Sequence, residues 1–415
     1  MQALYKLYSE SYLVDIDTRT IREGSIFFAI KGQKFNGNEF VEQALEKGAS
    51  YAVIDQSEYK IDDQTILVKD ALKTLQQLAT YHRNKLGIPI IALTGSNGKT
   101  TTKELINQVL SEKFMVTATK GNFNNHIGVP LTLLSMTPET EIGVVEMGAN
   151  HKNEIKFLSE IVRPDYGLIT NFGKAHLEGF GSMEGIIKGK SELYDFLRDN
   201  GKAAIVNSND SLQVSNSRGI NRIFISESIK LNSVSPYLSL SFENLIIKSN
   251  LVGDYNFNNI AIAIAIGSLF DIIPQQIKIA IERYVPTNNR SQIIQKGELK
   301  IVLDAYNANP SSMKYSIESF SNINGEYKMV ILGDMFELGE YSDIEHQKIV
   351  DLLIEHNFDK CCLVGDLFYK TRSPFEKFHS FDNLKNFIKE NPIEKGNILI
   401  KGSRGMSLER VLEFI

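Results

Sequence analysis

The sequence predicts an α/β protein of three domains built on mostly parallel sheets. Short runs rich in Ile, Val and Leu, each closed by glycine, asparagine or aspartate, alternate with segments of helical spacing along the chain. That alternation is the pattern of strand–helix–strand units around a buried sheet. At 415 residues the chain also exceeds one typical core, so two or three domains are expected. Changes of pattern place the units at 1–85, 86–285 and 286–415.

Composition narrows the function. Hydrophobic residues make up 42% and charged residues 23%, as in a globular protein in water. A net charge of −5 supplies no basic footprint for nucleic acid or an anionic membrane. The longest near-apolar stretch, IAIAIAIGSLF at 260–270, is too short to span a bilayer, so no membrane insertion is expected. The opening MQALYKLYSE lacks the apolar core of a signal peptide. Cys361 and Cys362, the only cysteines, are adjacent in an apolar run and read as buried thiols of a reducing compartment. The expectation is a cytoplasmic protein. Low-complexity segments and internal repeats are absent.

In the first unit, Asp17-Thr18-Arg19 precedes a strand-like run, SIFFAIKG at 25–32. A helical stretch at 40–49 leads to strands at 51–55 and 66–70, and a long helical pattern, ALKTLQQLATYHRNKLG, follows. By itself this small α/β unit is silent on ligand.

The second unit opens with the most informative stretch, IPIIALTGSNGKTTTKE at 88–104. Ile88 to Leu93 is a strand, Thr94-Gly95-Ser96-Asn97-Gly98 a tight turn, and Lys99-Thr100 opens a helix whose apolar residues Leu105, Ile106, Val109 and Leu110 share one face. In this arrangement successive backbone N–H groups and a helix N-terminus meet a polyphosphate, as in a P-loop ATPase. The lysine adds positive charge, and the Thr100 hydroxyl is a Mg²⁺ ligand type. The loop is shorter than the standard one, with only Ser96 and Asn97 between Gly95 and Gly98.

A strand at 115–119 and a loop, GNFNNHIGVPLTLL at 121–134, come next. Asn122, Asn124, Asn125 and His126 cluster in it, and its amides suit polar groups of a peptide or sugar; alternatively the asparagines cap the turn. Strands at 142–146 and 166–171 end near Glu146 and His176. Ligands of parallel α/β sheets sit beyond such carboxyl ends, so the pair reads either as metal ligands or as a turn cap and a structural histidine. On the helix at 183–197, Lys190 lies on the apolar stripe of Ile186, Leu193, Tyr194 and Leu197. A lysine on a buried face tends to lose its proton, and a neutral amine can take up CO₂ as a carbamate. The alternatives are a snorkelling lysine or a salt bridge. A strand at 202–210, ending in Asn207 and Asp210, precedes a strand-rich segment, 222–250, in which ISESI, YLSLSFENL and IIKSN are expected to form a peripheral antiparallel sheet. Asn256 and Asn259 open a helix at 253–267, where they are N-cap candidates.

YVPTNNRSQ at 284–292 reads as a linker. The third unit carries strand-like runs at 299–306, 327–335, 361–366 and 397–403 with helical stretches between them, a doubly wound, Rossmann-like sheet. Polar residues gather at the strand ends: Asp304, Tyr306, Asn307 and Asn309; Asp334 and Glu337; Lys401, Ser403 and Arg404. Three such groups in register argue for a site along one edge of the sheet.

TGSNGKTT, EMGA and AHLEGFGS resemble motifs of the Mur ligase family, ATP-dependent enzymes that add amino acids to a peptidoglycan precursor. GNFNNHIGVP, DAYNANPSSM, GDMFELGE and KGSRGMSLERV resemble the members that add D-alanyl-D-alanine. The resemblance spans all three units in order. It implies ATP held by Thr94 to Thr101 (Thr94, Gly95, Ser96, Asn97, Gly98, Lys99, Thr100 and Thr101), with Asn256 and Asn259 near the adenine and Arg290 and Asp304 reaching the nucleotide. It implies two Mg²⁺ sites, one at Thr100 and Glu146 and one at His176 and a carbamylated Lys190, with Lys188 in place of Lys190 if the register slips by two. Lys99, Glu146, His176 and Lys190 would be the catalytic set. Thr18, Arg19 and Lys31, in DTRTIREGSIFFAIKG, would contact uridine or diphosphate. Asn122, Asn124, Asn125, Tyr306, Asn307 and Asn309 would face the other substrate groups. The implied partners are small molecules, UDP-MurNAc-tripeptide and D-Ala-D-Ala, acting on a monomer. The rival readings are a folylpolyglutamate-type synthetase and a nucleotide-gated binding protein without ligase chemistry.

Overall fold

The computed structural model describes residues 1–234, 237–287, 289–325 and 327–415; Asn288 of the predicted linker lies outside the described residues. Four sheets carry the chain. The first is parallel, in the order Val14–Asp15, Ile26–Phe28, Tyr51–Ile54, Thr65–Leu67. The helix Ala71–Leu86 follows, capped by Asp70, whose carboxylate accepts from Lys73 N, and closed by Gly87 at φ 64°. It does not stay with the first sheet alone. Arg83 donates to Val162 O and Arg163 O and pairs with Asp165 at 2.6 Å, and Tyr8 Oη donates to Leu134 O. Both ends of the N-terminal unit are thus pinned to the central one.

The central sheet has six parallel strands, ordered Asn221–Phe224, Ala203–Val206, Tyr166–Ile169, Ile90–Thr94, Ile142–Glu146, Val116–Ala118. Strand order reverses on either side of Ile90–Thr94, which makes its carboxyl end a topological switch point, the usual place for a ligand crevice. The predicted stripe Leu105, Ile106, Val109 and Leu110 of helix Lys99–Leu110 is buried and packs on Tyr255–Leu269. That second helix is buried along Ile260–Gly267, which accounts for its unbroken apolar run.

The antiparallel sheet predicted in 222–250 exists but is built differently: Lys230–Ser233, Ser239–Phe242, Leu245–Lys248. ISESI is a turn, in which Ser226 Oγ accepts from Ser228 N, and Asn221–Phe224 instead extends the parallel sheet. Serine side chains compete for the backbone there, so apolar alternation alone misplaced the strand.

The C-terminal sheet runs Gln292–Lys296, Glu298–Asp304, Lys395–Lys401, Lys328–Gly333, Lys360–Val364, Glu376–Phe378. Its first strand is antiparallel, the rest parallel. The sequence reading missed the two edge strands, which have little apolar signal because edges face water. Cys361 and Cys362 are buried in the fifth strand, and burial pushes both thiols up to about 12, so they stay protonated.

Candidate active site

The carboxyl ends of the central and C-terminal sheets face one cleft of about 820 Å³. On the central side, the loop after Ile90–Thr94 is held tightly. Gly95 has φ +146°, and a Cβ there would meet Thr170 Oγ1 at 1.9 Å, so only glycine fits. Asn97 N donates to Asn171 Oδ1 and Asn171 Nδ2 donates back to Asn97 O, while Ser96 Oγ donates to Gly173 O. Asn171 went unremarked in the sequence, although a polar residue ending a parallel strand was the available signal. Ser96 to Thr101 line the cleft, while Thr94 is wholly buried. Lys99 Nζ folds back onto Gly95 O and Ser96 O. Burial pulls its pKa down; Glu146 opposes this and Arg290 adds to it.

Glu146 is 1% exposed; Oε1 accepts from Asn124 Nδ2 at 2.8 Å, whereas Oε2 has no hydrogen-bond partner. A buried carboxylate oxygen without a partner is a group that a cation or a hydrogen-bond donor would satisfy. Thr100 and His176 line the same cleft. Among the described residues, no three His, Cys, Asp or Glu side chains converge on one point. A buried carboxylate and a hydroxyl beside a phosphate loop are donor types that Mg²⁺ takes together with substrate phosphates. His176 sits at φ +55° with Nδ1 2.6 Å from Glu337 Oε2, and this neighbour holds the Glu337 carboxyl below the ordinary range.

Lys190 is 1% exposed, with Nζ 5.3 Å from the Phe180 ring centroid. Burial, then the charge of Lys99, drives its pKa well below the ordinary value, and Glu154 and Glu192 offset only part of this. Lys188 is exposed, so of the two only Lys190 has the buried setting that favours a neutral amine. Lys190 lies behind the cleft-lining residues rather than among them.

The asparagines divide. Asn124 faces Glu146, but Asn125 Oδ1 accepts from Ile127 N and Gly128 N, a turn cap; both line the cleft with Asn122 and His126. Asn256 and Asn259 line it too, yet their amides are engaged: Asn256 Nδ2 donates to Val252 O, Asn259 Nδ2 to Asn256 Oδ1, and Thr102 Oγ1 to Asn259 Oδ1. They tie the two helices under the phosphate loop together.

The C-terminal side supplies Arg290, Asp304, Tyr306, Asn307, Asn309 and Lys401. Arg290 stacks on Tyr306 at 3.6 Å. Asn309 caps the helix Pro310–Ser321 and its Nδ2 donates to Asn97 Oδ1 at 2.7 Å, so the sheets meet through the phosphate loop. Tyr255 and Tyr315 stack across the cleft at 6.3 Å, a pair that periodicity could not pick out. Asp334 and Ser403 lie away from the cleft: Asp334 accepts from Leu367 N and Phe368 N, and Ser403 Oγ from Phe336 N. Thr18, Arg19 and Lys31 are also not among the residues that line it. Arg19 pairs with Asp17 on the surface of the first unit, and Lys31 pairs with the largely buried Asp55.

Three family models match the chain in sequence: the Mur ligase family catalytic domain at residues 10–89, the Mur ligase middle domain at 93–267, and the Mur ligase glutamate ligase domain at 289–403. The UDP-N-acetylmuramoyl-tripeptide–D-alanyl-D-alanine ligase of Bacillus subtilis is 34% identical over 420 residues, covering 96% of this chain and 92% of that one. The chain belongs to the Mur ligase family. Among solved Mur ligases, MurF from Acinetobacter baumannii superposes with a TM-score of 0.84 at 30% identity, covering 96% of this chain and 92% of that one. MurF ligase from Thermotoga maritima in complex with ADP gives a TM-score of 0.85 at 27% identity, covering 97% and 96%. The three-domain α/β expectation and the family assignment both hold, and a relative that binds ADP shares the whole fold. No helix among the described residues is long and apolar enough to cross a membrane.

Proposed function

We propose that this Mur ligase joins D-alanyl-D-alanine to UDP-N-acetylmuramoyl-tripeptide at the expense of ATP, as a cytoplasmic monomer. The observation that carries the reading is the meeting, in one cleft, of the phosphate loop, the open Oε2 of Glu146 and the 304–309 turn. The similarity to D-alanyl-D-alanine ligases over nearly the full length supports the choice of substrates. Residues 1–85 would hold the UDP end through Thr18, Arg19 and Lys31, 86–285 the ATP, and 286–415 the incoming dipeptide.

The tripeptide carboxylate attacks the γ-phosphate, giving an acyl phosphate and ADP. The dipeptide amine then attacks the acyl carbon, an amide forms, and phosphate leaves. An anion must approach an anion, so charge has to be neutralised. Lys99 can supply one positive charge by turning from Gly95 O to the phosphate. Thr100 and Glu146 would hold one Mg²⁺, and His176 and Lys190 the other; bound there, Mg²⁺ would withdraw charge from the phosphate oxygens. Burial disfavours the charged form of Lys190; the neutral amine would form an N–C bond to CO₂ and lose one proton, so that a neutral group becomes an anionic carbamate ligand. Closure of the C-terminal unit about the 284–290 hinge would keep water from the acyl phosphate.

The test is phosphate release from ATP and Mg²⁺ with UDP-MurNAc-tripeptide, with D-Ala-D-Ala added or withheld. Release that needs both substrates, with a pentapeptide product by mass, is expected. Release indifferent to D-Ala-D-Ala would refute the choice of amine. Lys190→Ala should retain ATP binding but lose turnover and the carbamate ¹³C resonance seen under ¹³CO₂; normal turnover would end the carbamate reading.

A further inference from the structure

Glu337 is not among the cleft-lining residues, yet it reaches the one histidine proposed as a metal ligand. It stands on a bend after the strand Lys328–Gly333, with φ +62°. A non-glycine residue in the left-handed region is uncommon and signals a conformation imposed by its surroundings. Those surroundings are firm. Met335 and Leu338 on either side are buried, Met335 N donates to His346 Nε2, and Phe336 N donates to Ser403 Oγ. From this anchored bend, Glu337 meets the central domain twice. Its Oε2 lies 2.6 Å from His176 Nδ1, an ion-pair separation without hydrogen-bond alignment, and its carbonyl accepts from Glu178 N at 3.2 Å. His176 is itself left-handed, so both partners are held in unusual backbone conformations on opposite sides of one interface. Tyr341 Oη, donating to Gly181 O, fastens the same seam further out.

We propose that Glu337 is a positioning residue that the C-terminal domain lends to the central domain's metal site. By pairing with Nδ1 it would fix the His176 ring and leave Nε2 as the nitrogen available to a metal in the cleft that His176 lines. An imidazole that binds a metal through one nitrogen is usually oriented by a partner on the other. Here that partner lies on a different domain, so the histidine is oriented only when the two domains are closed. The inference rests on the reading of His176 as a metal ligand.

The test is Mn²⁺ binding to the full chain in the presence of ADP, followed by the EPR signal of free Mn²⁺. Glu337→Ala is expected to weaken Mn²⁺ binding by about 10–100-fold. Tyr341→Phe, which cuts another contact across the same seam, is expected to leave it unchanged. His176→Ala should weaken binding at least as much as Glu337→Ala. Unchanged affinity in Glu337→Ala beside a weakened His176→Ala would overturn this proposal alone. Unchanged affinity in His176→Ala would overturn the metal reading and this proposal with it. An equal loss in Tyr341→Phe would make Glu337 a general closure contact and overturn the positioning role.

Discussion

Lys401 and Asp304 are register partners at the ends of adjacent parallel strands, and their side chains meet at 2.5 Å. The Lys401 side chain is 2% exposed and that of Asp304 16%. Lys401 Nζ also donates to Asn307 O at 3.3 Å, so one ammonium group shapes the turn that carries Tyr306, Asn307 and Asn309 into the cleft. Lys401→Met keeps most of the stem and removes the charge. Removing one partner of a buried pair is worth about 3–5 kcal/mol. Asp304 would still accept from Ser316 Oγ at 2.9 Å and Ser291 N at 3.1 Å. That compensation puts the expected loss at the lower end, about 3 kcal/mol. At roughly 3–4 °C per kcal/mol for a unit of this size, the melting midpoint should fall by about 10 °C. The assay is calorimetry and urea unfolding of wild type, Lys401→Met, Asp304→Asn and the double variant. Neutralising both partners leaves no unpaired charge, so the double variant should be more stable than additivity predicts, by about 2 kcal/mol. A loss below about 1 kcal/mol in Lys401→Met, or strict additivity, would refute the reasoning.

Two further tests address the scaffold under the phosphate loop. Asp165 pairs with Arg83 and Lys202 and accepts from Ile90 N. Burial alone would raise its pKa, but the bonds from Lys202 and Ile90 N and the charges of Arg83 and Lys202 hold it below the ordinary carboxylate value. A depressed folded pKa gives stability that is full above the unfolded value of about 3.9 and is lost as pH falls through the folded one. The urea midpoint of Asp165→Asn should therefore lie below wild type at neutral pH, with the gap closing as pH drops below about 4; a gap independent of pH would refute the assignment. Gly98 has φ +78°, and a Cβ there would meet Asn259 Oδ1 at 2.6 Å. Gly98→Ala should strain the loop by roughly 1–2 kcal/mol, displace Asn259 from Thr102, and weaken ADP binding measured by calorimetry. Unchanged affinity would show that the loop tolerates a side chain.

The sequence determined a good deal by itself. The apolar runs marked the inner strands of all three parallel sheets, because strands covered on both faces must be continuously apolar. The TGSNGKTT turn, Glu146 and His176 stood at strand ends, where local order already implies a ligand edge. Lys190 was legible because a single charge interrupts a helical stripe whose neighbours Ile186 and Tyr194 proved buried. Edge strands such as Gln292–Lys296 were not legible, since an edge needs only one covered face.

Tertiary structure alone decided which of the polar residues act together. Asparagine has the same signature whether it caps a turn, as Asn125 does, faces a carboxylate, as Asn124 does, or bridges two domains, as Asn309 does to Asn97. Asp334 and Asp304 occupy equivalent strand ends, yet one caps a helix and the other pairs with Lys401 beside the cleft. The contact between His176 and Glu337 joins residues 161 positions apart on separate domains. Periodicity reports which face of an element is covered, but the partner of a charged group depends on how whole domains close on one another, and that information is carried by no local stretch of the chain.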